Sequence, residues 1–210
     1  MPSQPERRPG RVIALPRAPA SDAELVSAVA RGDQHALSRV WERYVADVRL
    51  AIRTSLGPDS ALDDLVQEVF LAFFRNASRI ENPQALRAYL IGIAIRSTAF
   101  EIRTRKRRSR WLRLTLTGTL PEASTESPEA PRDALSVLRR VLERVPERPR
   151  MAFELRYVMA LSPAEVAVAL DVSEAKARRA ITEARERVFD LAKREPSLAP
   201  YIRSLPEDQS

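Results

Sequence analysis

Apolar residues recur along this chain at helical spacing and nowhere alternate over a useful length, so the pattern predicts helices alone. After Asp33, which caps a helix start, Leu37, Val40, Trp41, Tyr44, Val45, Val48 and Ile52 form one buried face, and Gly57 with Pro58 ends the segment. The next helix repeats the arrangement with Leu62, Leu65, Val66, Val69, Phe70, Phe73 and Phe74, while Asp63, Asp64, Gln67 and Glu68 fall on the other side. A shorter helix comes first: Ser21 and Glu24 have capping-box spacing, Leu25 and Val29 sit one turn apart, and Gly32 follows the end near Arg31. Asn82 followed by Pro83 predicts an N-cap with proline at the first helical position, and Leu86, Tyr89, Leu90, Ile93 and Ala94 line the core side of a fourth helix. These four helices can enclose one core.

A second helical block begins near Asp133, with Leu135, Leu138, Val141, Leu142 and Val145 on one face, and breaks at Pro146 and Pro149. Another helix runs through Phe153, Leu155 and Val158. Ser162 with Glu165, and Pro163 at the first helical position, start a short helix through Val166, Ala169 and Leu170. Asp171, Val172 and Ser173 form a tight connection, and Ser173 caps a long helix whose inner face is Ala177, Ala180, Ile181, Ala184, Val188 and Leu191. The predicted fold is therefore all-α: two small helical domains joined by a flexible linker, the second containing a helix-turn-helix. The expected boundaries are a proline-rich, disordered basic tail over 1–20, a first domain over 21–114, a linker over 115–132, a second domain over 133–194 and a C-terminal tail over 195–210.

Charge narrows the function. Lys and Arg number 35 against 28 Asp and Glu, a net charge of +7. A polyanion is the natural partner, nucleic acid before an anionic membrane surface. The positive charge is densest just past the fourth apolar segment, where Arg96, Arg103, Arg105, Lys106, Arg107, Arg108, Arg110 and Arg113 are offset only by Glu101. The apolar stripe beside them, Ile102, Trp111, Leu112 and Leu114, is weak for a membrane surface. No apolar run reaches the roughly 18 to 20 residues of a membrane span, so neither insertion nor export is expected. With no cysteine, disulfides, thiolate catalysis and cysteine-based metal sites are excluded, which suits a cytoplasmic protein. Five scattered glycines form no phosphate-cradling loop, so no cofactor is expected.

Ser162 to Arg187 has the dimensions of a helix-turn-helix, with small alanines where two helices must cross closely. Its second helix would enter the major groove by its N-terminal turns. The residues placed to reach phosphates and base edges are Ser173, Glu174, Lys176, Arg178, Arg179 and Thr182.

The run Leu155-Arg156-Tyr157-Val158-Met159-Ala160-Leu161-Ser162-Pro163-Ala164-Glu165-Val166-Ala167, continued by Leu170-Asp171-Val172-Ser173, resembles the fourth conserved region of bacterial extracytoplasmic-function (ECF) sigma factors of the sigma-70 family. Ala36 to Tyr44 resembles the opening of their second region, and Asp63-Asp64-Leu65-Val66-Gln67-Glu68-Val69-Phe70 is similar to the family's most recognisable run. The resemblance spans about residues 22 to 192. It implies a sigma factor that binds core RNA polymerase through Asp63, Asp64, Gln67 and Glu68, meets the minus-ten promoter element through Arg96, Arg103, Arg105, Lys106, Arg107, Arg108 and Arg110, and has an anti-sigma factor as a regulatory partner. The chain departs from the family pattern in several places. Tyr89-Leu90 stands where Trp-Leu is usual, Ile95-Arg96 where Arg-Asn is usual, Phe100 replaces an Asp, and Ala175 to Ala180 replaces the usual recognition-helix run.

Two other classes compete. A stand-alone helix-turn-helix regulator would usually dimerise on paired half-sites, and no heptad seam serves that purpose. A magnesium-dependent nucleic-acid enzyme would have to use Asp63, Asp64 and Glu68, without a His or Lys placed as general base; the lone His35 sits at a helix start. No catalytic or metal-ligating residue is therefore expected.

Overall fold

In a computed structural model of the chain, residues 20–115 and 134–198 are described, and among them every regular element is helical. The predicted N-terminal tail, most of the linker and most of the C-terminal tail lie outside these residues.

Helices α1 (Asp22–Ala30), α2 (Gln34–Leu56) and α3 (Leu62–Asn76) form as the spacing predicts. Ser21 and Glu24 close a reciprocal capping box on α1, and the Asp33 carboxylate accepts the amides of His35 and Ala36 at the start of α2. Val40, Tyr44, Val48 and Ile52 of α2 meet Leu65, Val66, Val69, Phe70 and Phe73 of α3 in one core, with the Trp41 and Phe70 rings 4.5 Å apart. The Tyr44 hydroxyl donates to Asp22 at 2.5 Å, and Arg43 pairs with the same carboxylate at 3.0 Å. These contacts tie α1 to α2, and burial beside Asp22 pushes the Tyr44 phenol up to about 12.

The fourth helix departs from expectation at its start and runs far beyond its apolar segment. Pro83–Ala85 is a 3-10 turn, and the Asn82 side chain makes no capping bond. Helix α4 then runs without a break over Leu86–Thr115, absorbing the basic segment into a rod of 30 residues, about 45 Å long. Its first half is buried nearly all round: Leu86, Ala88, Leu90, Ile91, Ile93, Ala94, Ile95 and Ala99 are all within the core. A helix that is apolar on every side must be covered on every side. Here α2 and α3 cover one flank and a helix of the second domain, α7 (Pro163–Leu170), covers another.

The second domain holds α5 (Ala134–Glu143), α6 (Glu147–Phe153), a π-helical turn (Glu154–Val158), α7 (Pro163–Leu170) and α8 (Glu174–Ala192). After the π turn, Ala160 takes a left-handed conformation at φ 54°, a costly one for a residue with a Cβ. Ser162 and Glu165 form the predicted capping box, with Pro163 in the first turn of α7. Asp171 ends α7 in the left-handed region, and the Val172 amide donates back to the Ala167 carbonyl at 3.0 Å, the return bond of a glycine-type helix stop. Ser173 occupies the N-cap position of α8, but its side chain makes no capping hydrogen bond. Ala177, Ile181, Ala184 and Val188 hold α8 in the core, as expected.

Candidate nucleic-acid and polymerase interfaces

Three charged surfaces emerge from this frame. On α3, burial of Leu65, Val66, Val69 and Phe70 turns Asp63, Asp64, Gln67 and Glu68 outward, and all four are exposed. Asp63 pairs with Arg49 of α2 at 2.7 Å, with both side chains well exposed, a contact worth at most about 1 kcal/mol. Leu71, one turn beyond Gln67 and Glu68 on the same face, is 48% exposed. Carboxylates, an amide and an uncovered leucine thus share one open face of a helix that is otherwise buried.

The basic residues of α4 fall into two groups. Lys106, Arg107, Arg108 and Arg110 are exposed. Phe100 and Trp111 are exposed by 60% and 63%, and the spacing of Phe100, Thr104, Arg107 and Trp111 puts them on one stripe. Aromatic faces interleaved with arginines suit single-stranded nucleic acid, where bases stack and phosphates pair.

The other group is engaged. Arg105 pairs with Asp59 at 2.5 Å and with Glu101 at 2.6 Å, an arrangement that holds the Asp59 carboxyl below its usual range. Arg103 is ion-paired with Glu147, the first residue of α6 in the other domain. Arg96 is partly buried and donates to the Ala169 carbonyl at the end of α7. Loss of water pulls its guanidinium below the usual arginine value, with Tyr89 and Asp171 acting in the opposite direction.

On the helix-turn-helix, Ser173, Glu174, Lys176, Arg178, Arg179 and Thr182 are all exposed on the first turns of α8. Glu174 pairs with Arg178 one turn on, at 2.7 Å. Lys176 and Arg179 stand forward without an ion-pair partner among the described residues. Thr182 directs its hydroxyl to the Arg178 carbonyl at 3.1 Å. Farther along, Arg187 pairs with Glu183, so charge alternates in sign on that half as on a solvated face.

Sequence reasoning does not find the residues that join the domains. Gly92 of α4 lies so close to α7 that a Cβ there would sit 2.4 Å from the Ala169 carbonyl oxygen. Arg87 pairs with Asp47 at 2.8 Å and reaches the Met159 carbonyl at 3.3 Å. Arg139 of α5 donates to the Leu56 carbonyl at 3.2 Å. The Ser55 hydroxyl donates to Glu154 at 2.6 Å, and Glu154 is only 2% exposed. The trace in the sequence is the run Leu90 to Ile95, which has no polar position and a glycine in its middle.

Among the described residues, no group of three or more His, Asp or Glu side chains could hold a metal ion, so Asp63, Asp64 and Glu68 do not converge on one. No helix among the described residues is long and apolar enough to cross a membrane.

Comparison with known proteins agrees with this layout. The family described as Sigma-70 region 2 matches residues 40–108, and Sigma-70, region 4 matches residues 135–188. The ECF RNA polymerase sigma-E factor of Escherichia coli (strain K12) is 27% identical over 177 residues, covering 80% of this chain and 92% of its own length. The RNA polymerase sigma factor NccH of Alcaligenes xylosoxydans xylosoxydans is 25% identical over 182 residues, covering 82% and 95%. Among solved structures, CnrH in complex with the cytosolic domain of CnrY shares the fold at a TM-score of 0.59 and 22% identity, over 83% of this chain and 98% of that one. The sigma factor RpoE of Bartonella quintana, in complex with the anti-sigma factor NepR, does so at 0.55 and 17%, over 75% and 97%. With region 2 on the domain that carries the acidic face and basic helix, and region 4 on the domain that carries the helix-turn-helix, the chain belongs to the sigma-70 family as an ECF sigma factor, which directs RNA polymerase to promoters.

Proposed function

We propose that this sigma factor divides its work among three surfaces and performs no chemistry of its own. The exposed face of α3, with Asp63, Asp64, Gln67 and Glu68, docks onto core polymerase. The open basic half of α4, Lys106, Arg107, Arg108 and Arg110, meets the DNA being opened, joined by Arg96, Arg103 and Arg105 once their present partners are displaced. The first turns of α8 read the upstream element through Lys176 and Arg179, with Ser173, Glu174, Arg178 and Thr182 around them. The observation that carries this reading is the uncovered carboxylate-amide face on a helix whose other side is fully buried. A DNA-binding regulator acting alone has no need of such a face. The protein works in the cytoplasm, where core polymerase is, and the RpoE–NepR complex of Bartonella quintana supports an anti-sigma factor as its regulator.

Charge reversal tests the docking face. The double variant Asp64→Lys/Glu68→Lys should weaken binding to core polymerase by about a hundredfold, the scale expected for hot-spot residues, while leaving the DNA affinity of the free protein unchanged or raised. Full retention of core binding would remove α3 from the interface.

A further inference from the structure

Among the described residues, Leu71 is exposed on the α3 face and Phe100 and Trp111 on the basic stripe of α4, whereas Leu50, 46% exposed on α2, belongs to neither surface. It lines a groove of about 560 Å³ beside the seam between the domains, where the second half of α2 faces α5. Ala46, Leu50 and Pro58 supply an apolar wall, and Arg49, Arg53 and Arg139 supply charge; the lining contains no Asp or Glu. Arg139 is fixed across the end of α2, where its guanidinium donates to the Leu56 carbonyl at 3.2 Å and fills the space that a Cβ on Gly57 would need. One ion pair to Leu56 still leaves it donors to spare. Arg49 pairs with Asp63 outside the groove, and Arg53 has no ion-pair partner among the described residues.

Such a groove calls for an occupant that is apolar and acidic at once. Residues 1–19 carry Arg7, Arg8, Arg11 and Arg17 against Glu6 alone, the wrong sign. Residues 121–133 carry Glu122, Glu126, Glu129 and Asp133 but no apolar side chain larger than proline, so they would leave Leu50 uncovered. Residues 199–210 have both properties: Tyr201, Ile202 and Leu205 are followed directly by Pro206, Glu207 and Asp208. They also begin in the right place. Leu198 is only 3% exposed, and its 3-10 turn, Pro196–Leu198, packs on α5, the helix that brings Arg139 to the groove. An extended chain advances about 3.1 Å per residue, so Tyr201 to Asp208 spans roughly 25 Å, more than the roughly 15 Å length of α5. Tethering so close sets an effective concentration on the order of millimolar, and a contact too weak for a separate peptide then suffices.

We propose that residues 199–210 dock in this groove of their own chain, Ile202 and Leu205 against Ala46, Leu50 and Pro58, and Glu207 and Asp208 against Arg53 and Arg139. Docked there, the segment joins α5 to α2 and adds a contact between the domains. The proposal is independent of which surfaces meet DNA or polymerase.

The chain has no cysteine, so Ala46→Cys, at an exposed position in the groove lining, can carry a single nitroxide on the full-length, 15N-labelled protein. The amide signals of Tyr201 to Asp208 should lose most of their intensity and regain it when ascorbate reduces the nitroxide. Arg53→Glu and Leu50→Glu, each at an exposed position, should separately restore most of that intensity, as should Glu207→Lys/Asp208→Lys. The dispersion of the remaining amide signals shows that each variant is folded.

Docking of this segment is overturned if its amides keep full intensity beside the nitroxide, or if the loss persists in both folded groove variants. Loss over Glu122 to Glu129 with Tyr201 to Asp208 unaffected would give the groove to the linker. Loss that appears equally when spin-labelled 14N chains are mixed with unlabelled 15N chains would give it to a second copy. Either result also overturns the proposal.

Discussion

The two helices proposed to meet DNA, α4 and α8, differ in what lies over them. The first turns of α8 are open to solvent, and the forward residues Lys176 and Arg179 have no ion-pair partner among the described residues. Among the described side chains of α4, Lys106, Arg107, Arg108 and Arg110 are comparably free, because Arg96 and Arg103 are held by the second domain and Arg105 by Asp59 and Glu101. Positive charge in the sequence is thus a poor measure of positive charge offered to DNA. On the proposed reading, the basic surface of α8 is open in this arrangement and that of α4 is half engaged.

The largest test of this contrast concerns the seam. Burial raises the Glu154 carboxyl from 4.5 to about 7, against the opposing pull of the Ser55 hydroxyl and Arg150. The folded chain therefore holds a proton that the unfolded chain releases near its ordinary carboxylate value. The contribution of Glu154 to stability is complete at and below pH 4.5, falls as pH rises, and is lost above about 7. The loss is on the order of 3 kcal/mol. Glu154→Gln, neutral at every pH, should melt much as the unaltered protein does near pH 5 and at a higher temperature at pH 8, by several degrees. Equal melting temperatures for the two proteins at both pH values would place Glu154 in water and the seam apart.

A smaller effect separates the open arginines from the engaged ones. Arg107→Glu/Arg108→Glu should cut the DNA affinity of the free protein by tens of fold and flatten its log-log salt dependence by at least about 1.4 to 1.8. The smallest effect should belong to Arg96→Ala, less than about threefold in the free protein, since that side chain is spent on the Ala169 carbonyl and adds little of the phosphate contact that drives binding. Equal losses from the two changes, measured by fluorescence anisotropy at fixed salt, would erase the distinction.

Much of this architecture was legible in the sequence because its signals are local. Capping boxes at Ser21 and Ser162 and the i, i+3, i+4 spacing of α2 and α3 act over a few residues. The outward set on α3 follows from the inward one. The full length of α4 was not legible, because its faces change role along the rod: core on all sides at Leu90 to Ile95, then charged residues with no clean period. The α-helix starts at Leu86 and not after Asn82 for a different reason, since Pro83 serves a 3-10 turn as well as it serves an α-helix. Nor could the position of Ser173 reveal that its hydroxyl makes no capping bond. The seam lay farthest out of reach, since a bond such as that of Ser55 with Glu154 joins residues 99 positions apart, and nothing local demands it. The uninterrupted apolar run around Gly92 was its only mark.

Transcription in vitro decides whether this chain gives core polymerase promoter specificity. Core enzyme and the full-length protein should be incubated with a fragmented genomic template and the RNA 5′ ends mapped. New starts are expected at discrete sites that require the protein, that share sequence upstream, and that disappear with Asp64→Lys/Glu68→Lys. A set of starts identical with and without the protein would contradict it.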